Sequence, residues 1–214
     1  MAKYNRQTPC VYHFIKAMFH GIPKNASTSI KNALYEANWG KPFEGNKQWI
    51  HKGNEKGGSI YPSITMVQSN KYRPYFHFTV VRNPYDRFRS FYSDLFAKTT
   101  NIRNNVPPFY TDNNIQLTKR PIDEVLDIIE DYNDNVCDEH FSSQNSFIYS
   151  DKCVFVKQEN LNQGWETVCQ HLGVEYKPLP VYNKSEDAVL LTDNQKDRIY
   201  KRYYTDFERF KYER

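Results

Sequence analysis

The sequence predicts an α/β fold built on a parallel sheet, and three observations predict it. Two apolar runs rich in β-branched and aromatic residues, Val11–Phe19 and Tyr75–Val81, read as strands. Each leads through a short polar turn into a stretch with apolar residues at helical spacing, Thr28–Trp39 and Tyr85–Lys98. A strand–turn–helix unit that occurs twice is the pattern of parallel strands joined by helical crossovers.

The elements follow in order. Val11–Phe19 (VYHFIKAMF) reads as one strand ending at His20-Gly21. A polar turn, Ile22–Ser27, leads to the helix Thr28–Trp39, in which Ile30 and Leu34 lie four apart with Ala33 and Ala37 beside them. Gly40 stands just past its end as a stop. Lys41–Tyr72 is irregular and rich in Gly, Lys and Asn. After the strand Tyr75–Val81, Phe88, Phe91, Tyr92 and Leu95 mark one helical face. Thr99–Arg120 is polar, contains Pro107-Pro108 and reads as a long loop. Pro121–Tyr132 is a helix with Ile122, Val125, Leu126 and Ile129 on one side. A short strand, Val154–Val156, precedes the helix Leu161–Leu172, whose stripe is Trp165, Val168, Cys169 and Leu172. Thr192 and Gln195 have the spacing of a capping box opening a last helix through Phe207. No repeat or linker interrupts the chain, so residues 1–214 read as a single domain.

Composition narrows the class. The chain has 214 residues, 39% of them hydrophobic and 25% charged, which suits a globular protein with a real core. No apolar run is long enough for a transmembrane helix, and the polar start is no signal peptide. A cytoplasmic protein without a membrane anchor is expected. The net charge is +4, from 29 basic against 25 acidic residues mixed along the chain. That is not the footprint of a dedicated DNA binder but suits a protein that holds a small polyanion. Cys10, Cys137, Cys153 and Cys169 show neither C-x-x-C nor zinc spacing and read as free thiols of a reducing compartment.

Two junctions carry chemistry. The first is Pro23-Lys24-Asn25-Ala26-Ser27-Thr28-Ser29, between a strand and a helix. A helix N-terminus offers unpaired N–H groups and the positive end of the dipole, a setting for phosphate. Small residues let the backbone approach an anion, hydroxyls add donors, and Lys24 adds a charge. The spacing is not that of a Walker loop, in which the lysine directly precedes the Ser/Thr. At the second junction Arg82 ends a strand, where an acidic metal ligand would otherwise be expected, and Ser90 follows about two turns into the next helix. An arginine fork with a hydroxyl holds phosphate well. Nothing in this pattern asks for a metal.

Together the junctions resemble the phosphosulfate-binding motifs of sulfotransferases that use 3′-phosphoadenosine 5′-phosphosulfate (PAPS), most nearly the Golgi carbohydrate sulfotransferases and their soluble bacterial relatives. Pro23–Ser29 resembles the 5′-phosphosulfate loop, and Phe78–Arg87 with Ser90 the 3′-phosphate motif. Weaker likeness runs through Asp138-Glu139-His140 with Gln144, Val156–Leu161 and Asn183-Lys184-Ser185. The resemblance implies a P-loop-like three-layer domain with a central parallel sheet. It implies sulfuryl transfer from PAPS to a hydroxyl of an acceptor, a glycan or glycoside, with 3′,5′-ADP (PAP) as product and no metal. Lys24 would stabilise the departing phosphate, residues 26–29 would hold the 5′-phosphate, and Arg82 with Ser90 the 3′-phosphate. The variable segments 41–72 and 99–120 would face the acceptor. Their Lys41, Lys47, Lys52, Lys56, Arg103, Lys119 and Arg120 suit an anionic one.

A hydroxyl acceptor calls for a base, and histidine has the matching pKa. His51, after Trp49-Ile50, is the first candidate because family members often carry a histidine in that region. His140 is the second, and Glu55 a carboxylate alternative. His13 and His77 sit in expected strands, His171 in a peripheral helix and His20 at the mouth of the loop. Two other readings compete: a P-loop-like kinase or NTPase, and a non-catalytic nucleotide- or nucleic-acid-binding module. The missing Walker spacing and metal carboxylate weigh against the first, and Lys24 against the second.

Overall fold

The computed structural model describes residues 9–45, 50–51, 61–97, 106–179 and 189–214. Within them the chain forms two compact units, one of residues 7–82 and 147–184 and the other of residues 83–146 and 185–214.

The first unit is α/β. Strands β1 (Cys10–Tyr12), β2 (Ala17–Phe19), β3 (Phe76–Val81) and β4 (Val154–Lys157) form one sheet in that order. β2, β3 and β4 are parallel neighbours, whereas β1 runs antiparallel to β2 with Cys10 opposite Phe19. The sheet is therefore mostly parallel, with one antiparallel edge. The apolar run expected as a single strand is a hairpin. Its turn closes through Lys16 N–H to the His13 carbonyl at 3.3 Å, and Lys16 is left-handed at φ 48°. The Asn38 side chain accepts from Phe14 N–H at 3.0 Å, tying the turn to the helix α1 (Ser27–Trp39), and leaves the Phe14 ring outside.

Side-chain alternation sorts the sheet's faces. Tyr12, Ala17, Phe19, Phe78 and Val80 pack with Ile30 and Leu34 of α1 and with Trp165, Val168 and Cys169 of α6 (Leu161–Leu172). Val11 and Met18 point the other way and meet Tyr72 and Val67, the latter in α2 (Ile64–Val67), a short helix within the stretch expected to be irregular. Gly164 of α6 lies hard against β4; a Cβ there would stand 2.3 Å from Val156 Cγ1.

The second unit is helical. α3 (Pro84–Leu95) starts with proline at its first turn and an Asn83 cap that accepts from Tyr85 N–H at 2.9 Å. A short α4 (Pro108–Asp112) sits within the expected loop. α5 (Ile122–Asp131) packs with α7 (Asp193–Arg202) around Phe88, Phe91, Leu126, Phe141 and Ile199. The Thr192–Gln195 capping box forms as expected. The last helix is two rather than one. It breaks at Tyr203, whose hydroxyl donates to the Phe141 carbonyl at 2.9 Å, and α8 (Tyr204–Phe210) follows.

All four cysteines are free and buried. Among the described residues no helix is long and apolar enough to cross a membrane.

Candidate active site

The loop between β2 and α1 is shaped by two left-handed residues, Lys24 at φ 71° and Ala26 at φ 53°. Neither is glycine, so each conformation carries a steric cost that the surroundings must offset. Three bonds do so. Asn25 N–H and Ser27 Oγ both donate to the Ile22 carbonyl, at 3.3 and 2.6 Å. The buried Asn25 amide donates to the Val80 carbonyl at 2.8 Å, stapling the loop to β3. Left-handed residues in such turns bring successive N–H groups to one side and make anion-holding concavities. Ala26 caps α1 without a side-chain acceptor, and the first turn carries no acid. A helix N-terminus with this layout suits an external anion.

Arg82, at the end of β3, donates from Nη1 to the Lys24 carbonyl at 3.1 Å. Its guanidinium therefore lies against this loop. Asp86, four residues further on, pairs with Arg89 at 2.7 Å.

His51 reaches α1 from the far side of the chain. Its Nε2 is 3.0 Å from Thr28 Oγ1, and its Nδ1 is 3.1 Å from Lys31 Nζ. Lys31 is fully buried and donates to the Tyr61 hydroxyl at 3.0 Å, and that hydroxyl donates to the His51 carbonyl at 3.1 Å. Burial, with the Lys31 ammonium beside it, lowers the His51 pKa to about 4. The ring is neutral at physiological pH, but both nitrogens are engaged.

In the helical unit Ser90 is 7% exposed, and its hydroxyl has no hydrogen bond among the described residues. His140 is held differently from His51. Its Nδ1 lies 2.6 Å from Asp138 Oδ1, the same oxygen that accepts its backbone N–H at 2.9 Å and the Tyr110 hydroxyl at 3.2 Å. Asp138 is buried, and its carboxyl is held below the usual range; these bonds to His140 outweigh the upward push of burial. Nε2 of His140 makes no bond among the described residues. The segment is fixed from beneath: buried Arg87 donates to the Ser142 carbonyl at 2.8 Å, and Asp206 accepts from Gln144 and Asn145 N–H at 2.7 and 2.9 Å.

A family model described as the Sulfotransferase family matches residues 11–213, nearly the whole chain. The chain belongs to the sulfotransferase family. No curated protein and no solved structure matches it. Membership gives sulfuryl transfer as its general activity, and a hydroxyl-bearing acceptor is what the family implies.

In this sulfotransferase the α/β unit brings Pro23–Ser29, Arg82 and His51 to one end of the sheet. Ser90 and His140 belong to the helical unit. His13 is in the hairpin turn, not in a strand, with its Nδ1 2.8 Å from the Tyr75 hydroxyl. His20 and His77 are buried against each other, Nε2 to Nδ1 at 3.2 Å, and His171 stacks on Phe76 at 4.9 Å. Arg120 pairs with Glu124 at 3.3 Å, while Lys41 and Lys119 are exposed. Lys47, Trp49, Lys52, Glu55, Lys56, Arg103 and Asn183-Lys184-Ser185 lie outside the described residues. Sequence reasoning missed Lys31, Tyr61 and the role of Asp138. The one available signal for Lys31 was its i,i+3 spacing from Thr28, which puts both on one helix face.

Proposed function

We propose that this member of the family transfers the sulfuryl group of PAPS to a hydroxyl of a carbohydrate acceptor, on a P-loop-like α/β framework. The observation that carries the reading is the α1 N-terminus. It is capped by Ala26 without a side-chain bond, is free of acid in its first turn, follows the left-handed Lys24 and Ala26, and is backed by Arg82. These residues fit a doubly anionic group. PAPS, when bound, supplies a sulfuryl group on a good leaving phosphate. N–H groups and hydroxyls of residues 26–29 would hold the 5′-phosphate, with Pro23 and Asn25 setting the turn. Arg82 and Ser90 would hold the 3′-phosphate, an assignment that rests on the sequence motif and on a Ser90 hydroxyl with no hydrogen bond among the described residues.

The step balances simply. The acceptor oxygen forms a bond to sulfur, the bond from sulfur to the bridging phosphate oxygen breaks, and PAP departs with the electron pair. Lys24 meets the charge that develops on that oxygen. The acceptor's proton goes to a base, and the local geometry favours His140, whose Nδ1 faces Asp138 at 2.6 Å while Nε2 makes no bond among the described residues. His51 presents no open nitrogen. Charge neutralisation falls to Lys24, Arg82 and the helix N-terminus, so the proposal assigns no metal. The carbohydrate acceptor rests on the resemblance, and exposed Lys41 and Lys119 suit an acidic glycan. The four reduced thiols support a cytoplasmic setting.

The test is a binding and transfer assay. PAP should bind without magnesium and more tightly than 5′-AMP, because the 3′-phosphate has its own partners. Labelled PAPS should pass its sulfate to a glycan panel. Equal affinity for PAP and 5′-AMP, or preference for ATP with magnesium, overturns the reading.

A further inference from the structure

A lysine that is wholly buried in the middle of a helix requires acceptors for its N–H bonds. Among those of Lys31 are His51 Nδ1 at 3.1 Å and the Tyr61 hydroxyl at 3.0 Å. An ammonium donates and cannot accept, so His51 Nδ1 must be the acceptor of that bond. In a neutral imidazole the proton then sits on Nε2. That Nε2–H faces Thr28 Oγ1 at 3.0 Å and donates to it. Thr28 Oγ1 is thereby an acceptor on its inner side, and its own proton has no partner among the described residues. The neighbouring Ser27 hydroxyl spends its proton on the Ile22 carbonyl at 2.6 Å. Of these two adjacent hydroxyls in the first turn of α1, Thr28 is the one with a donor to offer.

We propose that Lys31 and His51 are positioning residues that form a one-way donor relay, Lys31 to His51 to Thr28, and that this relay commits the Thr28 hydroxyl to donate to an oxyanion bound at the N-terminus of α1. Each bond polarises the next, so the last O–H is a stronger donor than an isolated threonine. The buried ammonium brings positive charge toward the anion without touching it. Tyr61 locks the geometry from behind, since its hydroxyl accepts from Lys31 and donates to the His51 carbonyl. The inference rests on the reading of this loop as the phosphosulfate site, but the relay itself exists in the free protein. It gives His51 a use that requires no proton transfer: one acceptor and one donor at fixed places.

Glutamine can supply both, with a carbonyl oxygen for Lys31 and an amide N–H for Thr28, and it cannot serve as a base. The experiment compares His51→Gln with His51→Ala. His51→Gln should keep PAP affinity and transfer rate within about threefold of wild type. His51→Ala and Thr28→Val should each weaken PAP by about 10–100-fold, the loss of one hydrogen bond to a charged group. Lys31→Met should add little when combined with Thr28→Val, because it acts through that hydroxyl. Nitrogen-15 NMR of the ligand-free wild type should show the His51 ring as the Nε2–H tautomer, a readout that a packing role would not impose. An Nδ1–H tautomer, a His51→Gln variant as slow as His51→Ala, or additive losses for Lys31→Met and Thr28→Val would each overturn the relay. If wild type binds no PAP, the phosphosulfate reading fails while the tautomer still decides the relay.

Discussion

At the scale of single residues, the chemistry divides between groups that hold charge in the ground state and groups that act when charge moves. Lys24 belongs to the second kind in the proposed reaction, because the bridging oxygen becomes anionic only as its bond to sulfur breaks. Lys24→Ala should therefore lower turnover by about 10²–10³ while weakening PAP much less, as read by kcat alongside calorimetric PAP binding. A loss confined to PAP affinity would make Lys24 an anchor instead. His140 is tested in the same way. His140→Ala should cut the transfer rate by about 10²–10⁴ with PAP binding nearly unchanged. Asp138→Asn should reproduce part of that loss, since the carboxylate fixes Nδ1–H. If His140→Ala left the rate intact, the proton would have another destination. That Lys24, the following hydroxyls and Arg82 stand at strand–helix junctions was legible in the sequence, because apolar runs and helical spacing mark strand ends and helix starts. Lys31 was not legible. A lysine on a helix is ordinarily solvated, and the residues that bury it, His51 and Tyr61, come from a segment without periodicity. Asp138 was visible as a residue but not as the partner of a histidine two positions on, which depends on a turn that only the fold defines.

At the scale of elements, helices were read more accurately than strands. Leu161–Leu172 matches its expected bounds, since an apolar stripe at helical spacing ends at a left-handed Gly173 with φ 64°. The β1–β2 hairpin was read as a single strand, because Val11–Phe19 is apolar almost throughout and its turn has no Gly, Asn or Pro. What makes the turn is a left-handed lysine and an asparagine from α1, a tertiary partner that local sequence does not reveal. The break at Tyr203 was hidden for the same reason. Close approach of elements can be tested at Gly164. Alanine there gains helix propensity worth about 1 kcal/mol. Its Cβ would, however, stand 2.3 Å from Val156 Cγ1, and Val156 is buried, β-branched and held in a strand. Overpacking of this kind costs about 1–3 kcal/mol or more, so the clash should win. Gly164→Ala should lower the melting temperature by a few degrees, at about 2–4 °C per kcal/mol for a chain of this size. An unchanged or raised Tm would mean that α6 can slide off β4 at no cost.

At the scale of the whole molecule, the buried histidines set how folding stability depends on pH. The Tyr72 carbonyl can only accept, so His77 Nε2, at 3.0 Å from it, carries a proton. His20 Nε2 lies 3.2 Å from His77 Nδ1, and His20 Nδ1 lies 3.2 Å from the Phe147 carbonyl and 3.3 Å from Tyr149 N. Burial first, and the neighbouring His77 second, lower the His20 pKa to about 3, while burial and Lys31 lower that of His51 to about 4. In the unfolded chain both rings titrate near about 6.5. Between those limits the unfolded state binds more protons than the folded one, so stability falls as pH is lowered from about 6.5 toward 4. Two protons give a slope of up to about 2.7 kcal/mol per pH unit at its steepest. The carboxylates contribute with both signs. Asp134 and Asp138, both lowered, stabilise the fold above their unfolded pKa and lose that contribution only at more acidic pH. Buried Asp206, raised, works the other way and gains stability as pH falls through its folded value. The histidine window therefore lies above most of the carboxylate titration. Urea midpoints measured from pH 7.5 to 4.5 should be flat at the upper end and fall steeply below about 6.5. His51→Gln should remove about half of the slope, because glutamine keeps the bonds and has nothing to protonate. A profile that stays flat to pH 4.5 would mean that both rings take up protons in the folded state, against the burial of His20 and the Lys31 ammonium beside His51.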